Sequence, residues 1–195
     1  MTATAPLTAQ RLTAEELEQA RLFLQQTQNA VVGATRGLSE AQWNFKPGPQ
    51  SWSIAENLSH IVAVQERVLG PVLEQLATAP APPADLDYKL VDSIVIHQFP
   101  TRLAKFSAPE FIHPYGPIVP AELLHRLTTN HARLAQRLET PGLRKHAADA
   151  APLKAVSHGA YHLMDGYQWI LAAAAHTERH AKQMLEVMAD PGYPV

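Results

Sequence analysis

Cysteine is absent from these 195 residues. That excludes disulfides, a thiol nucleophile, thiolate zinc sites and iron–sulfur clusters together. Glycine is scarce at nine residues, and no G-x-G-x-x-G, G-x-x-x-x-G-K-[ST] or G-x-S-x-G pattern occurs, which excludes the common nucleotide-binding turns and the nucleophile elbow. Charged residues make up only 17% of the chain with a formal net charge of −2, and Arg and Lys are scattered. No basic stripe interleaved with aromatics suggests a nucleic-acid partner. Long apolar runs are missing too: the longest, Trp169 to Ala175, falls far short of the ~20 residues of a membrane span. Met1 to Ala20 carries mixed charges and no apolar leader core, so the sequence reads as a cytoplasmic protein with no membrane partner.

The chain does have apolar material, 46% of its residues, enough for the core of a single domain over residues 1–195. Four stretches carry helical periodicity. The first opens on the capping-box spacing Thr13–Glu16, repeats Leu17, Leu24 and Val31, and should stop near Gly37. A second opens on Ser53–Glu56 and runs to Leu76, with a kink or break expected near Leu69–Gly70 because Pro71 interrupts the pattern. The third runs from Pro120 to Glu139 along a seam of Leu124, Leu127, His131, Leu134 and Leu138. The fourth is capped by Asp165, with Gln168 three residues on, and ends near Ala189. Roughly forty Pro-rich residues separate the second and third stretches, and Val91 to Phe99 within them has a β-like composition. These elements predict an all-α four-helix bundle whose long middle loop permits a crossover topology.

Ten histidines are an excess for this length. His176 and His180 stand four apart, so on a helix both imidazoles project from one face, a geometry that suits bidentate capture of a divalent ion. The same spacing also arises on solvated faces. On helical wheels, His176 and His180 lie on the shoulder of the apolar stripe of the fourth helix, and His60 lies beside the Asn57–Val64 edge of the second. A three-histidine site between helices is therefore permitted. It is not the H-E-x-x-H arrangement, because the one acid between the pair, Glu178, projects to the other side of the helix and reads as a solvated acid. Glu56 shares a helix with His60 but belongs to the cap. His158 and His162 form a second pair in a loop and are the runner-up metal site. His131 reads as a core or half-buried residue, His125 as solvated, and His97, His113 and His146 as surface or loop residues. Trp43, Trp52 and Trp169 read as packing anchors.

Three segments together resemble the DinB-like (DinB/YfiT) superfamily: GLSEAQWNFKP from Gly37 to Pro47, WSIAENLSH from Trp52 to His60, and YQWILAAAAHTERHAKQ from Tyr167 to Gln183. Their order and spacing match from about Leu17 to Pro194. The resemblance implies a crossover four-helix bundle and a divalent metal ion, nickel or zinc, held by His60, His176 and His180, with water or substrate completing the shell. One departure stands out. Where similar proteins have His-Pro-x-x-Gly before the last helix, this chain has His158-Gly159-Ala160-Tyr161-His162.

Relatives of that kind include S-transferases and isomerases that use low-molecular-weight thiols, and metal-dependent hydrolases. The resemblance thus implies a metalloenzyme that activates a thiol or a water toward a small-molecule substrate. Without a cysteine of its own the chain must take any sulfur nucleophile from outside. The alternative is a non-catalytic, metal-stabilised stress-response or scaffold module. A homodimer is the expected assembly.

Overall fold

The computed structural model describes residues 11–101, 108–114 and 118–195. Residues 1–10, part of the segment read above as lacking a leader core, lie outside this range. Helix α1 (Ala14–Ala34) starts at Thr13, whose side chain accepts from the Glu16 amide while Glu16 accepts from the Thr13 amide. It ends in a turn closed by Gly37 at φ 73°, a left-handed backbone that glycine adopts without a Cβ penalty. Ser39 and Gln42 form another capping box and start α2 (Glu40–Asn44), a short helix absent from the sequence reading. Ser53 caps α3 (Ile54–Val64) as expected.

The break in the second stretch falls where Pro71 predicts it, in a wider form. α3 runs into a π-turn, Gln65–Leu69, and then into α4 (Gly70–Gln75). Gly70 donates to the Gln65 carbonyl, an i→i−5 bond. Pro71 has no N–H to give and its ring excludes the carbonyl four residues back, so the helix widens instead of continuing in α register.

Two expectations need correction. Val91 to Phe99 is not β-like: it lies in and just beyond α5 (Tyr88–Gln98), started by Asp87, whose carboxylate accepts from the Leu90 amide. Val91, Ile94, Val95 and Phe99 are buried at helical spacing, so one-sided packing overrides their β-branched composition. The Pro-rich connection is accordingly not a plain loop, since it contains α5 and a 3₁₀ turn, Glu110–Ile112, after another 3₁₀ turn, Leu76–Thr78, at its start. After α6 (Pro120–Arg137), strand β1 (Ala147–Asp149) pairs antiparallel with β2 (Leu163–Asp165) around the short α7 (Ala151–Val156). Helix α8 (Gly166–Met188), capped by Asp165, closes the fold. No described helix is long and apolar enough to cross a membrane.

α1 packs on α6 and α8, and α3 packs on the same two helices. Consecutive bundle helices α1 and α3 therefore oppose each other across the bundle, which is the crossover arrangement. α5 lies against α8 from outside. The core divides in two. One cluster gathers Leu24, Val91, Leu134, Tyr167 and Ile170 around the first half of α8; the other gathers Val31, Ile54, Leu58, Ile61, Leu127 and Met184 around its second half. A buried polar layer lies between. Thr27, Gln65, His131 and Thr177 enter it from α1, the π-turn, α6 and α8. His131 donates through Nδ1 to the Leu24 carbonyl at 3.0 Å and faces the Thr177 hydroxyl through Nε2 at 3.4 Å, where Gln65 Nε2 also donates.

A second buried polar feature ties the bundle to its outer layer. Arg144, 2% exposed, reaches Glu16 of α1, Asp92 of α5 and Asp165 at the head of α8. Its guanidinium also lies over the Tyr167 ring. Burial pushes Asp165 up to about 6 despite the pull of Arg144.

Removing the one cation from this set leaves the buried Asp165 and the half-buried Glu16 and Asp92 uncompensated. Arg144→Leu is therefore expected to destabilise the fold by about 3–5 kcal/mol, measured by urea denaturation at pH 7. His131 supplies a pH test. Burial holds its pKa down to about 4, whereas the unfolded chain binds that proton near the ordinary value of 6.5. Between those values the unfolded state takes up a proton that the native state refuses, so stability falls as pH drops from about 6.5 to about 4. The His131 share amounts to up to about 3 kcal/mol. Denaturation curves at pH 7, 5 and 4 should show a shallower loss for His131→Gln than for the unchanged chain.

Candidate metal centre

α3 carries His60 one turn before its end, and the antiparallel-packed α8 carries His176 and His180. The helical spacing anticipated for the pair is realised. The structure brings all three imidazoles together, with one ring nitrogen from each within 4.8 Å of the others. Ring centroids stand 5.0 Å apart for His60–His176, 4.6 Å for His60–His180 and 4.5 Å for His176–His180. His60 and His180 are buried, and His176 is half-buried as a residue with its Nδ1 buried. No carboxylate joins the three within that distance among the described residues.

Hydrogen bonding fixes which nitrogens face inward. His60 Nδ1 lies 2.9 Å from the Ile112 carbonyl, which can only accept, so the proton sits on Nδ1 and Nε2 is left as a lone pair. His180 Nδ1 lies 2.9 Å from Asn57 Oδ1, with the same consequence. His176 is different. Its Nε2 stands 3.2 Å from His60 Nε2, and its Nδ1 is buried with no hydrogen-bond partner. Either tautomer leaves something unsatisfied: an orphaned Nδ1, or lone pairs confronting each other at the centre. A cation among the three nitrogens relieves the confrontation. The donor set of neutral imidazoles fits a divalent ion of borderline softness.

Charge follows the same direction. Burial holds His176 down to about 3, reinforced by His60 and by the Arg179 guanidinium. Burial also lowers His60, against the support of the Ile112 carbonyl. Both imidazoles are thus neutral and able to ligate near pH 7.

The walls of the site come from three places. Trp52 lies against the cluster, its ring 4.7 Å from His60 and stacked at 22° on His180, 6.0 Å away. It packs on the histidines and not on the apolar core, which the reading of Trp52 as a plain anchor does not capture. The Glu110–Ile112 turn forms a strap across the site: His60 holds the Ile112 carbonyl, and Arg67 holds the Phe111 carbonyl at 2.8 Å. His113, at the end of the strap, lies edge-on to Trp52 at 6.1 Å and is exposed, as anticipated for a loop residue. Arg179 is buried and donates to the Thr101 carbonyl.

Acidic side chains of the two helices are engaged elsewhere. Glu56 closes the Ser53 capping box and binds Lys46 at 2.7 Å. Glu66 pairs with Arg126, which holds its carboxyl below the usual range, and Glu178 pairs with Lys182 at 2.6 Å. His158 and His162 are both exposed, His158 in left-handed backbone at φ 51°, and they contribute to no group of three ligating side chains among the described residues. His125 and His97 are exposed, and half-buried His146 binds the Ala79 carbonyl at 2.6 Å. Asn57 and the Ile112 carbonyl have no role in the sequence reading. Asn57 was detectable as a polar residue one turn before His60 on the same helix; a backbone carbonyl from the distant strap leaves no sequence signal.

The sequence profile of the DinB superfamily matches residues 24–184. Among solved structures, YfiT from Bacillus subtilis, described as a probable metal-dependent hydrolase with an unusual four-helix bundle topology, resembles this chain with a TM-score of 0.60. That match covers 94% of this chain and 91% of the other at 13% sequence identity, and so speaks for the fold. No curated protein matches the chain.

Contact of Trp52 with two of the histidines provides an optical reporter. Titration with Ni²⁺ or Co²⁺ is expected to quench tryptophan emission with about one equivalent. Trp52→Phe should abolish most of that quenching, leaving the emission of Trp43 and Trp169 nearly unchanged.

Proposed function

The chain belongs to the DinB superfamily, and from that premise we propose that it is a metal-dependent enzyme in which His60, His176 and His180 hold a divalent ion, zinc or nickel. The single observation behind this reading is the convergence of three imidazole nitrogens within 4.8 Å, two of them with their hydrogens turned outward onto acceptors. Residues 1–195 act as a single domain in this reading.

A divalent ion in such a site supplies Lewis acidity, which lowers the pKa of a bound water or thiol and makes it a nucleophile near neutral pH. The rest is the work of the protein. Three neutral donors with no carboxylate beside them offset none of the ion's charge, so an anionic oxygen or sulfur partner is favoured. Trp52 and the Glu110–Ile112 strap cover the His60 and His180 side, so an exogenous molecule would enter past His176. Because the chain has no cysteine, its nucleophile is either water, giving a hydrolase, or an external low-molecular-weight thiol, giving a transferase. The description of YfiT as a probable metal-dependent hydrolase supports the first; the thiol-using enzymes implied by the sequence resemblance support the second.

One observation favours a second reading, a metal-stabilised module without catalysis. Glu56, Glu66 and Glu178 are all committed to other partners and offer no general base.

Elemental analysis of protein prepared without a polyhistidine tag tests the metal reading. About one divalent ion per chain is expected, and none in a folded His60→Ala/His176→Ala/His180→Ala variant. Full metal content in that variant would sink it. A turnover screen of ester, amide and electrophilic substrates, with and without bacillithiol, mycothiol or glutathione, then separates the enzyme readings. Loaded protein that turns over nothing under either condition supports the non-catalytic module.

A further inference from the structure

Asn57 is fully buried on α3, one turn before His60. Its amide nitrogen donates to the Ser53 carbonyl at 2.9 Å, and its amide oxygen faces His180 Nδ1 at 2.9 Å. The Ser53 carbonyl has no proton to give, so the amide cannot turn over without setting two oxygens against each other. Ser53 itself is held by the capping box it forms with Glu56. A chain of fixed polarities therefore runs from the first turn of α3 to a histidine on another helix. The Ser53 carbonyl sets the Asn57 amide, the amide oxygen sets the proton on His180 Nδ1, and His180 Nε2 is left as a lone pair turned toward the cluster.

We infer that Asn57 is a positioning residue for the metal centre, presetting the tautomer and ring orientation of His180 so that the ion meets a prepared donor. This rests on the metal reading above and adds to it a residue outside the three ligands. The inference gives the side chain a specific chemical task. An aliphatic residue fills the same space but offers His180 no acceptor; the imidazole is then free to carry its proton on Nε2, where it blocks ligation. An aspartate keeps an acceptor toward His180, although its second oxygen then replaces the donor that met the Ser53 carbonyl.

The experiment compares zinc affinity, by competition with a chromophoric chelator, for the full chain, Asn57→Leu and Asn57→Asp. Thermal melts accompany it, together with the His180 tautomer of the metal-free proteins by ¹⁵N NMR. Expected are a loss of roughly 10–100-fold in affinity for Asn57→Leu, with proton density moved from Nδ1 toward Nε2, and tighter binding in Asn57→Asp than in Asn57→Leu with the proton on Nδ1. A folded Asn57→Leu that binds zinc as tightly as the unchanged chain, with its Nδ1 proton retained, overturns the inference. If Asn57→Leu does not fold, the smaller Asn57→Ala, which also lacks an acceptor, decides: the same roughly 10–100-fold loss and proton shift are expected, and unchanged affinity with the Nδ1 proton retained overturns the inference. Failure of the unchanged chain to bind zinc or nickel would instead sink the metal reading, so the two failures are distinguishable.

Discussion

Everything about the site depends on α8 running through the middle of the protein with its polar residues in one short segment. From Gly166 to Ala175 the helix is buried throughout, and the small residues Ala172 to Ala175 let neighbouring helices approach closely. From Ala181 the apolar face resumes with Met184 and Val187. The polar side chains His176, Thr177, Arg179 and His180 fall between the two halves of the core, where each must find a partner across a helix interface. A buried polar group without one is costly. That requirement explains why Asn57, Gln65 and His131 come in from α3, the π-turn and α6 at the same level.

The partners divide the layer into two kinds of site. Around Thr177 the contacts are ordinary protein hydrogen bonds: His131 donates to the Leu24 carbonyl, Thr177 to the Ala173 carbonyl and Gln65 Nε2 to the Thr177 hydroxyl, with Gln65 Oε1 left without a partner. Around His176 the pattern differs. His60 and His180 give their protons to acceptors outside the cluster and leave lone pairs inside, and His176 has a buried nitrogen with no partner. The first arrangement is held by protein donors and acceptors. In the proposed reading a divalent cation completes the second, and the burial that pushes His176 down to about 3 disfavours supplying that charge as a proton. In that reading burial favours a metal cation over a proton, since an ion shared by three imidazoles forms bonds that a single proton cannot.

The Pro-rich segment between α4 and α6 contributes more than a connection. Consecutive helices α1 and α3 oppose each other across the bundle, so the chain must cross it, and the crossing brings the Glu110–Ile112 strap over His60. Arg67, on the π-turn, grips the adjacent Phe111 carbonyl. The turn that Pro71 forces on the second bundle helix thereby carries one anchor of the strap. Topology and site geometry are linked through two neighbouring backbone carbonyls.

Much of this is written locally in the residues. Capping boxes at Thr13, Ser53 and Asp165, glycine at position 37 and proline at positions 71 and 120 mark helix ends because each satisfies or removes a particular backbone group. Spacing of four puts His176 and His180 on one face, and the apolar stripes turn His60 toward the same interior. Local rules failed at Val91–Phe99, where β-branched composition yielded to one-sided burial against α8, and at Ser39–Gln42, too short for periodicity to register. What the sequence alone determined was therefore the four helices, their ends and the three histidines on inward edges, since these depend on neighbours within a turn. Only the tertiary structure decided which lone pairs converge. That outcome depends on Asn57, on Trp52 and on the Ile112 carbonyl, groups from separate elements whose encounter follows from helix packing and not from any spacing along the chain.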